Sequence, residues 1–227
     1  MAVLVITIDG PAASGKSTIA RLLAKKLGAS FLDTGAMYRA VTFAAIQEGV
    51  DLENEERLLG IIEKNDFRFS AKNDLMTVQI NGKDVTEQLR DPEVTANARY
   101  IAAAPKVREK LVQMQRQYAA EQERIVTEGR DQGTVAFPDA EAKFFLIAQP
   151  RERARRRLTE LQAKGINDSL EKIQELIEKR DKTDSERGVG PLKPAHDAIE
   201  IDTTNLNIEQ VLDKILEYVL HSNSFSD

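Results

Sequence analysis

The chain has 227 residues, of which 41% are hydrophobic, 30% charged and 5% aromatic, and this balance predicts one globular domain rather than a disordered chain. The formal net charge of −5 argues against a general nucleic-acid binder, and the lack of cysteine excludes disulfides and thiolate chemistry. Because no apolar run approaches the roughly 20 residues of a membrane span and no basic signal segment precedes the first strand, we expect a cytoplasmic protein without a membrane partner.

The most specific motif follows the first predicted strand. An apolar run from Val3 to Ile8 leads into Gly10, Pro11, Ala12, Ala13, Ser14, Gly15, Lys16, Ser17 and Thr18, and a helical pattern comes next. This is a G-x-x-x-x-G-K-S phosphate-binding loop between a strand and a helix. Its glycines allow backbone amides to converge on phosphate oxygens, Lys16 supplies a positive charge, and Ser17 offers a hydroxyl to Mg²⁺. The motif predicts a site for a nucleoside triphosphate; an ordinary glycine-rich turn is the alternative.

Four further short segments, rich in β-branched or aromatic residues and bracketed by helical sequence, predict strands: 29–32, 124–127, 142–148 and 198–202. Strands joined by helical crossovers are typical of a buried parallel sheet, so we expect an α/β fold with a five-stranded parallel sheet flanked by helices. The first helix should end near Leu27, with Gly28 after it, and the last should run from about residue 205 through Val219. The polar tail, 222–227, should be loosely held.

Residues from about Asp66 to Arg90 interrupt this alternation. Segments 67–69, 75–80 and 83–85 predict a small antiparallel sheet, with Asn81-Gly82 as a two-residue hairpin turn. The core should resume in one helix around 97–118. We therefore expect an antiparallel β insertion within the single domain.

Two polar segments follow predicted strands and should lie on the same sheet edge as the phosphate loop. In the first, DTGAMYR at 33–39, Arg39 could clamp an anion opposite the γ-phosphate; a capped loop with one surface arginine is the alternative. The second is EGRDQGT at 128–134. Its Arg130-Asp131 pair could contact a ligand, and Glu128 could hold Mg²⁺ through water, whereas a structural ion pair in a turn would explain the same residues.

Arginines cluster in the C-terminal half. Five of them begin one predicted helix, at positions 151, 153, 155, 156 and 157, and most of these should form a solvated face. Arg180 and Arg187 are better candidates for a site, because Gly188-Val189-Gly190-Pro191 is typical of a flexible loop boundary. A mobile lid carrying arginines would offset the charge of converging phosphates and exclude water.

Taken together, these segments resemble the bacterial cytidylate kinases, a family of P-loop nucleoside monophosphate kinases, almost from end to end. The resemblance is carried by GPAASGKST, DTGAMYR, PKVRE at 105–109, GRDQGT with FPDA at 137–140, and RDKTDSERGVGPL at 180–192. It implies a P-loop kinase core with a monophosphate-binding insert at about 63–95 and an arginine-rich lid at about 151–190.

The resemblance also implies residue roles. ATP would bind residues 10–18, with Lys16, Arg130 and Arg187 as catalytic residues. Acceptor contacts would come from Thr34, Arg39, Arg108, Arg130, Asp131, Arg180, Asp184 and Arg187. Within that set Arg108 and Asp131 would read the base, since a carboxylate suits the cytosine amine and a guanidinium suits N3 or O2. Ala13 and Arg99 depart from the family pattern, which commonly has a glycine and a base-holding serine there, so one base contact stays unassigned.

The function implied is transfer of the ATP γ-phosphoryl group to CMP or dCMP, with Mg²⁺ as cofactor, ATP and CMP or dCMP as partners, and a monomer as the simplest assembly. Two alternatives stay open. One is a P-loop kinase for uridylate, adenylate, shikimate or a sugar acid. The other is a regulatory NTPase switch, which the lack of an Asn-Lys-x-Asp guanine motif and the many arginines disfavour.

Overall fold

The computed structural model describes residues 3–72, 75–163 and 165–221, so the expectation for the 222–227 tail lies outside the described residues. The strands are β1 (Leu4–Asp9), β2 (Ser30–Asp33), β3 (Phe67–Lys72), β4 (Leu75–Ile80), β5 (Lys83–Asp84), β6 (Arg124–Gly129), β7 (Ala142–Ile147) and β8 (Ile199–Asp202). The helices are α1 (Lys16–Leu27), α2 (Thr34–Gln47), α3 (Glu55–Lys64), α4 (Pro92–Ala103), α5 (Pro105–Ala120), α6 (Pro150–Gln162), α7 (Leu170–Glu186) and α8 (Ile208–His221).

Five parallel strands form the main sheet in the order β2-β6-β1-β7-β8, which confirms the predicted α/β fold with its five-stranded parallel sheet. The register pairs Asp9 with Gly129 and Asp33 with Glu128. Because parallel strands end at one edge, the polar residues that close β1, β2 and β6 are brought together there. Helix α1 ends with Gly28 in the left-handed conformation, as predicted.

A second, antiparallel sheet in the order β3-β4-β5 confirms the predicted β unit. Asn81 and Gly82 both have positive φ, 52° and 78°, which is the backbone of the predicted primed hairpin turn. Inward residues of this sheet, Met76 and Val78, join the same hydrophobic cluster as Leu32 of the main sheet. The small sheet is thus packed onto the core rather than held apart from it.

The single helix expected around residues 97–118 is wrong, because the segment forms two helices, α4 and α5. They are separated at Ala104, whose ψ of 110° is extended. Pro105 has no amide hydrogen to continue the first helix, and its ring disfavours the helical conformation of the preceding residue. The same proline is tolerated as the first residue of the next helix.

Alternating strand residues cover the two faces of the main sheet. Ile6, Phe31 and Val126 pack with α1 and α8, whereas their neighbours Val5, Leu32 and Ile125 pack with helices α2 to α5 and the small sheet. A third, smaller cluster joins the phosphate loop to α6 and α7 through the side chains Ala12, Ala154, Ile173 and Ile177. Helices α6 and α7 therefore rest on the loop itself.

Among the described residues, no helix is both long and apolar enough to cross a bilayer.

Replacing a core side chain should cost far more stability than replacing an exposed one of similar size. Ile215 in α8 is fully buried, and Ile215→Ala should lower the free energy of unfolding by about 2–5 kcal/mol through lost burial and a residual cavity. Leu176 in α7 is 55% exposed, and Leu176→Ala should change it by no more than about 0.5 kcal/mol. Chemical denaturation measures both, and equal effects would contradict the assignment of the core.

Candidate active site

The predicted phosphate loop lies between β1 and α1 at the polar edge of the main sheet. Residues 10–15 form the loop, and Lys16, Ser17 and Thr18 begin the helix. A Cβ on Gly10, which has a φ of +153°, would lie 2.3 Å from the carbonyl oxygen of Leu146, so only glycine allows this close approach. Ala13 has a φ of 58°, yet its methyl group packs on the cluster that joins the loop to α6 and α7.

Lys16 is buried inside this loop. Its Nζ donates a hydrogen bond to the Pro11 carbonyl oxygen at 3.0 Å, and only 6% of the residue is exposed. Burial, followed by repulsion from Arg130, lowers the pKa of Lys16 to about 7. The negative charge of a bound polyphosphate would favour the ammonium form and so oppose both effects. The lysine is thus held where an anion is needed to keep it charged.

Two oxygen groups suited to a hard cation lie beside the lysine. The Ser17 hydroxyl donates to Glu128 Oε1 at 2.7 Å, and burial, followed by the nearby Asp33, raises the pKa of Glu128. Within the described ranges, no three His, Asp or Glu residues group together as a metal cage. A hydroxyl and one carboxylate fit Mg²⁺ that takes most of its ligands from phosphate and water.

Helix α7 brings its predicted residues to the end of β6. Arg130 Nε donates to Asp184 Oδ2 at 2.8 Å, and Arg187 lies 3.6 Å from the other Asp184 oxygen. Burial alone would raise the pKa of Asp184, but Arg130, Arg180 and Arg187 together hold it low. Burial and then Arg130 lower the pKa of Arg180 to about 10. One carboxylate therefore keeps several guanidinium groups together.

The predicted base-reading residues also meet. Arg108, 2% exposed on α5, forms an ion pair with Asp131, which is 4% exposed. Gly190 lies directly against this pair, since a Cβ there would be 2.1 Å from Asp131 Oδ2 and 2.3 Å from an Arg108 nitrogen. Arg187, whose guanidinium is 3.9 Å from Asp131, connects the pair to the Asp184 cluster.

Arg39 and Thr34 stand on the other side of the same edge. Arg39 pairs with Asp33 at 3.0 Å, and the Thr34 hydroxyl donates to the Glu128 carbonyl oxygen at 2.7 Å. The charge of Arg39 also acts on Arg180. In contrast, Arg99 is exposed and stacks its guanidinium over the neighbouring Tyr100 ring. Arg99 is therefore not a candidate for the unassigned base contact.

Sequence reasoning missed several residues that contact this site. The Arg108 guanidinium lies 5.4 Å from the ring centroid of Tyr38, a residue inside the DTGAMYR segment that received no role. Burial, opposed by Arg108, raises the pKa of Tyr38 to about 12, so the ring keeps its hydroxyl hydrogen.

Two arginines of α6 were also missed, although Arg151 and Arg155 are exposed as expected. Arg153 donates to the Ala12 carbonyl oxygen at 3.0 Å and pairs with Asp181, which accepts from the Ala12 amide at 3.0 Å. Arg156 donates to the Ser14 carbonyl oxygen at 3.3 Å. Helical spacing alone does not separate these two arginines from their neighbours, since Arg151 and Arg155 also share a helix face.

Comparison with known proteins points to one family. A family described as cytidylate kinase matches the chain over residues 6–221. Proteins named cytidylate kinase from Bacillus anthracis and Bacillus cereus are each 49% identical to it, over 95% and 94% of this chain and 95% of their own lengths. The crystal structure of TT1252 from Thermus thermophilus resembles the fold, with a TM-score of 0.50, 19% identity, and coverage of 99% of this chain and 100% of that one.

Binding of a magnesium nucleoside triphosphate should be accompanied by proton uptake. At about pH 8 most Lys16 side chains of the free protein are neutral, because their pKa lies near 7, and the bound phosphates should restore the charge. Titration calorimetry with a non-hydrolysable triphosphate in buffers of different ionisation enthalpy measures the protons taken up. Lys16→Met should abolish most of the uptake. Equal uptake by both proteins would contradict the assignment.

Proposed function

The chain belongs to the cytidylate kinase family, and we propose that its site transfers the γ-phosphoryl group of ATP to CMP or dCMP, giving CDP or dCDP and ADP. The proposal places the ATP phosphates on residues 10–18 and the acceptor nucleotide among Thr34, Arg39, Arg108, Arg130, Asp131, Arg180, Asp184 and Arg187. The main observation behind this proposal is that Arg130, Arg180 and Asp184 lie near Lys16. Each is close enough to shift the pKa of the lysine, the two arginines downward and Asp184 upward. Cations that converge from the loop and from α7 suit two phosphate groups brought face to face.

The acceptor phosphate needs no general base. A phosphate monoester has a second pKa of about 6, so its attacking oxygen is largely deprotonated at neutral pH. That oxygen forms a bond to the γ-phosphorus while the bond from this phosphorus to the β-phosphate oxygen breaks, and ADP leaves. Because no proton must be removed, the chain's task is positioning and charge neutralisation.

Charge neutralisation falls to the lysine and the arginines. Lys16 follows the transferred phosphoryl group, while Arg130 and Arg187 offset the charge of the oxygens that approach each other. Mg²⁺, bound with ATP at Ser17 and Glu128, would supply further neutralisation of the triphosphate. Asp184 pairs with Arg130 and Asp33 pairs with Arg39, so the carboxylates hold both guanidinium groups at the sheet edge where the phosphates would bind.

Arg108 and Asp131 supply base selectivity in this proposal. Asp131 would accept from the cytosine amine, and uracil would present a carbonyl oxygen to the same carboxylate.

We further propose that the region 63–95 supports the acceptor nucleotide, that residues 151–190 act as a lid, and that the protein works as a monomer in the cytoplasm. All proposed contacts come from one chain, and light scattering at assay concentration tests the monomer.

Removing the Lys16 ammonium should abolish most catalysis. Lys16→Met is expected to lower kcat by about 10²–10³-fold, the usual effect of losing one group that stabilises transition-state charge. Lys26→Met, which changes an exposed lysine at the far end of the same helix, serves as the matched control and should keep normal turnover. A coupled ADP-release assay measures both, and near-normal turnover by Lys16→Met would show that the site is elsewhere.

Acceptor choice should depend on Asp131. With ATP and Mg²⁺, the wild type should use CMP and dCMP far better than UMP, AMP, shikimate or gluconate. Asp131→Asn, whose amide can also donate to a uracil carbonyl, should reduce the CMP-over-UMP ratio of kcat/KM by about 10-fold or more. An unchanged ratio would remove Asp131 from base recognition. Substantial ATP hydrolysis that CMP does not affect would instead favour a regulatory switch.

A further inference from the structure

One buried carboxylate at the sheet edge is used by neither half of the proposed reaction. Asp9 ends β1 and immediately precedes Gly10, the first residue of the phosphate loop. Only 4% of the residue is exposed. Its two oxygens accept from two consecutive backbone amides of another loop, Gln132 at 2.9 Å and Gly133 at 2.8 Å. Asp9 thus joins the start of the phosphate loop to the chain segment that follows Asp131.

Those two amides begin a π-helical turn over Gln132–Ala136. The turn also holds the backbone of Asp131 from the other side, since the Asp131 carbonyl oxygen accepts from the amides of Val135 and Ala136 at 2.8 and 3.2 Å. The position of the Asp131 carboxylate therefore depends on where this turn begins. Asp9 fixes that beginning with two hydrogen bonds of good length.

Different groups hold the rest of the turn. Gln132 accepts from the Thr127 hydroxyl at 2.9 Å through its side chain, and Arg116 donates to the Val135 and Ala136 carbonyl oxygens at 2.9 and 2.8 Å. Neither contact reaches the amides beside Asp131. The far end of the turn can therefore be loosened while the Asp9 contacts stay in place, which provides a matched control.

Burying a charged carboxylate at this position costs free energy. Burial raises the pKa of Asp9 to about 7 even though both backbone amides favour the charged form. Asp131 repels the same carboxylate and Lys16 attracts it, so Asp9 lies within electrostatic reach of a proposed base reader and of the phosphate-binding lysine. An apolar residue would avoid this cost, but it could not hold two amides of the neighbouring loop.

We propose that Asp9 is a positioning residue that sets Asp131, and with it Arg108, relative to the phosphate loop, and so contributes to selection of the acceptor base. This inference rests on the proposed function, because it assigns Asp131 and Arg108 to the base. In this proposal Asp9 contacts neither nucleotide. It fixes the position of the loop that recognises the acceptor base relative to the loop that binds the donor phosphates.

Asp9→Asn tests the proposal, because an amide has one oxygen for two donors and turns its NH₂ group toward the other backbone amide. We expect kcat/KM for CMP to fall by about 10-fold or more, mainly through KM for CMP, with a lower CMP-over-UMP ratio and a KM for ATP within about twofold of wild type. Arg116→Met should keep the wild-type CMP-over-UMP ratio. A purely structural role would lower stability in thermal unfolding and leave that ratio unchanged.

An unchanged CMP-over-UMP ratio in a folded Asp9→Asn protein would overturn the proposal, and so would a loss confined to ATP binding. If Asp9→Asn does not fold, Asp9→Glu carries the same test, since it keeps both oxygens but displaces them by one methylene. Failure of the wild type itself to phosphorylate CMP would contradict the proposed function. If the wild type prefers CMP over UMP and Asp9→Asn shows the same preference, only the role of Asp9 is contradicted.

Discussion

Burial of arginine side chains at the edge of a parallel sheet is the constraint on which the site depends. A guanidinium removed from water must be paired, or the charge costs several kcal/mol. The chain meets this requirement with carboxylates placed between arginines: Asp131 for Arg108, Asp184 for Arg130 and Arg187, and Asp181 for Arg153. Three of these pairs, Arg108–Asp131, Arg130–Asp184 and Arg153–Asp181, join segments that are distant in sequence. The network therefore also connects α5, α7, the loop after β6 and the phosphate loop.

The same network explains how one chain can serve two nucleotides. Carboxylates that hold guanidinium groups mimic the charge of phosphate, so phosphates can replace them without moving the cations far. Burial is the main cause of the lowered pKa of Lys16, and the positive charges of Arg130 and Arg180 lower it further. A bound polyphosphate would offset that repulsion. A site crowded with its own cations therefore suits a ligand that carries many negative charges.

Local sequence predicted much of this fold. The strands carry β-branched runs, the Asn81-Gly82 turn needs positive φ at both positions, and the phosphate loop has a fixed spacing. Features that depend on distant partners were harder to predict. Nothing local separates Arg153 from Arg155, since only the folded chain brings Ala12 and Asp181 to the first of them. Asp9 likewise looks like the polar end of a strand until the loop at 132–133 reaches it. Pro105 does signal the break between α4 and α5 locally, although the sequence on both sides of it is strongly helical.

In the proposed function, the donor and acceptor sites form one continuous, positively charged surface across the sheet edge. A molecule in which adenosine and cytidine are joined through a chain of phosphates tests it directly, because it spans both sites at once. Titration calorimetry should show one molecule bound per chain, more tightly than ATP or CMP alone, with binding abolished competitively by either nucleotide. Two molecules bound per chain, or competition by only one of the nucleotides, would contradict a continuous site.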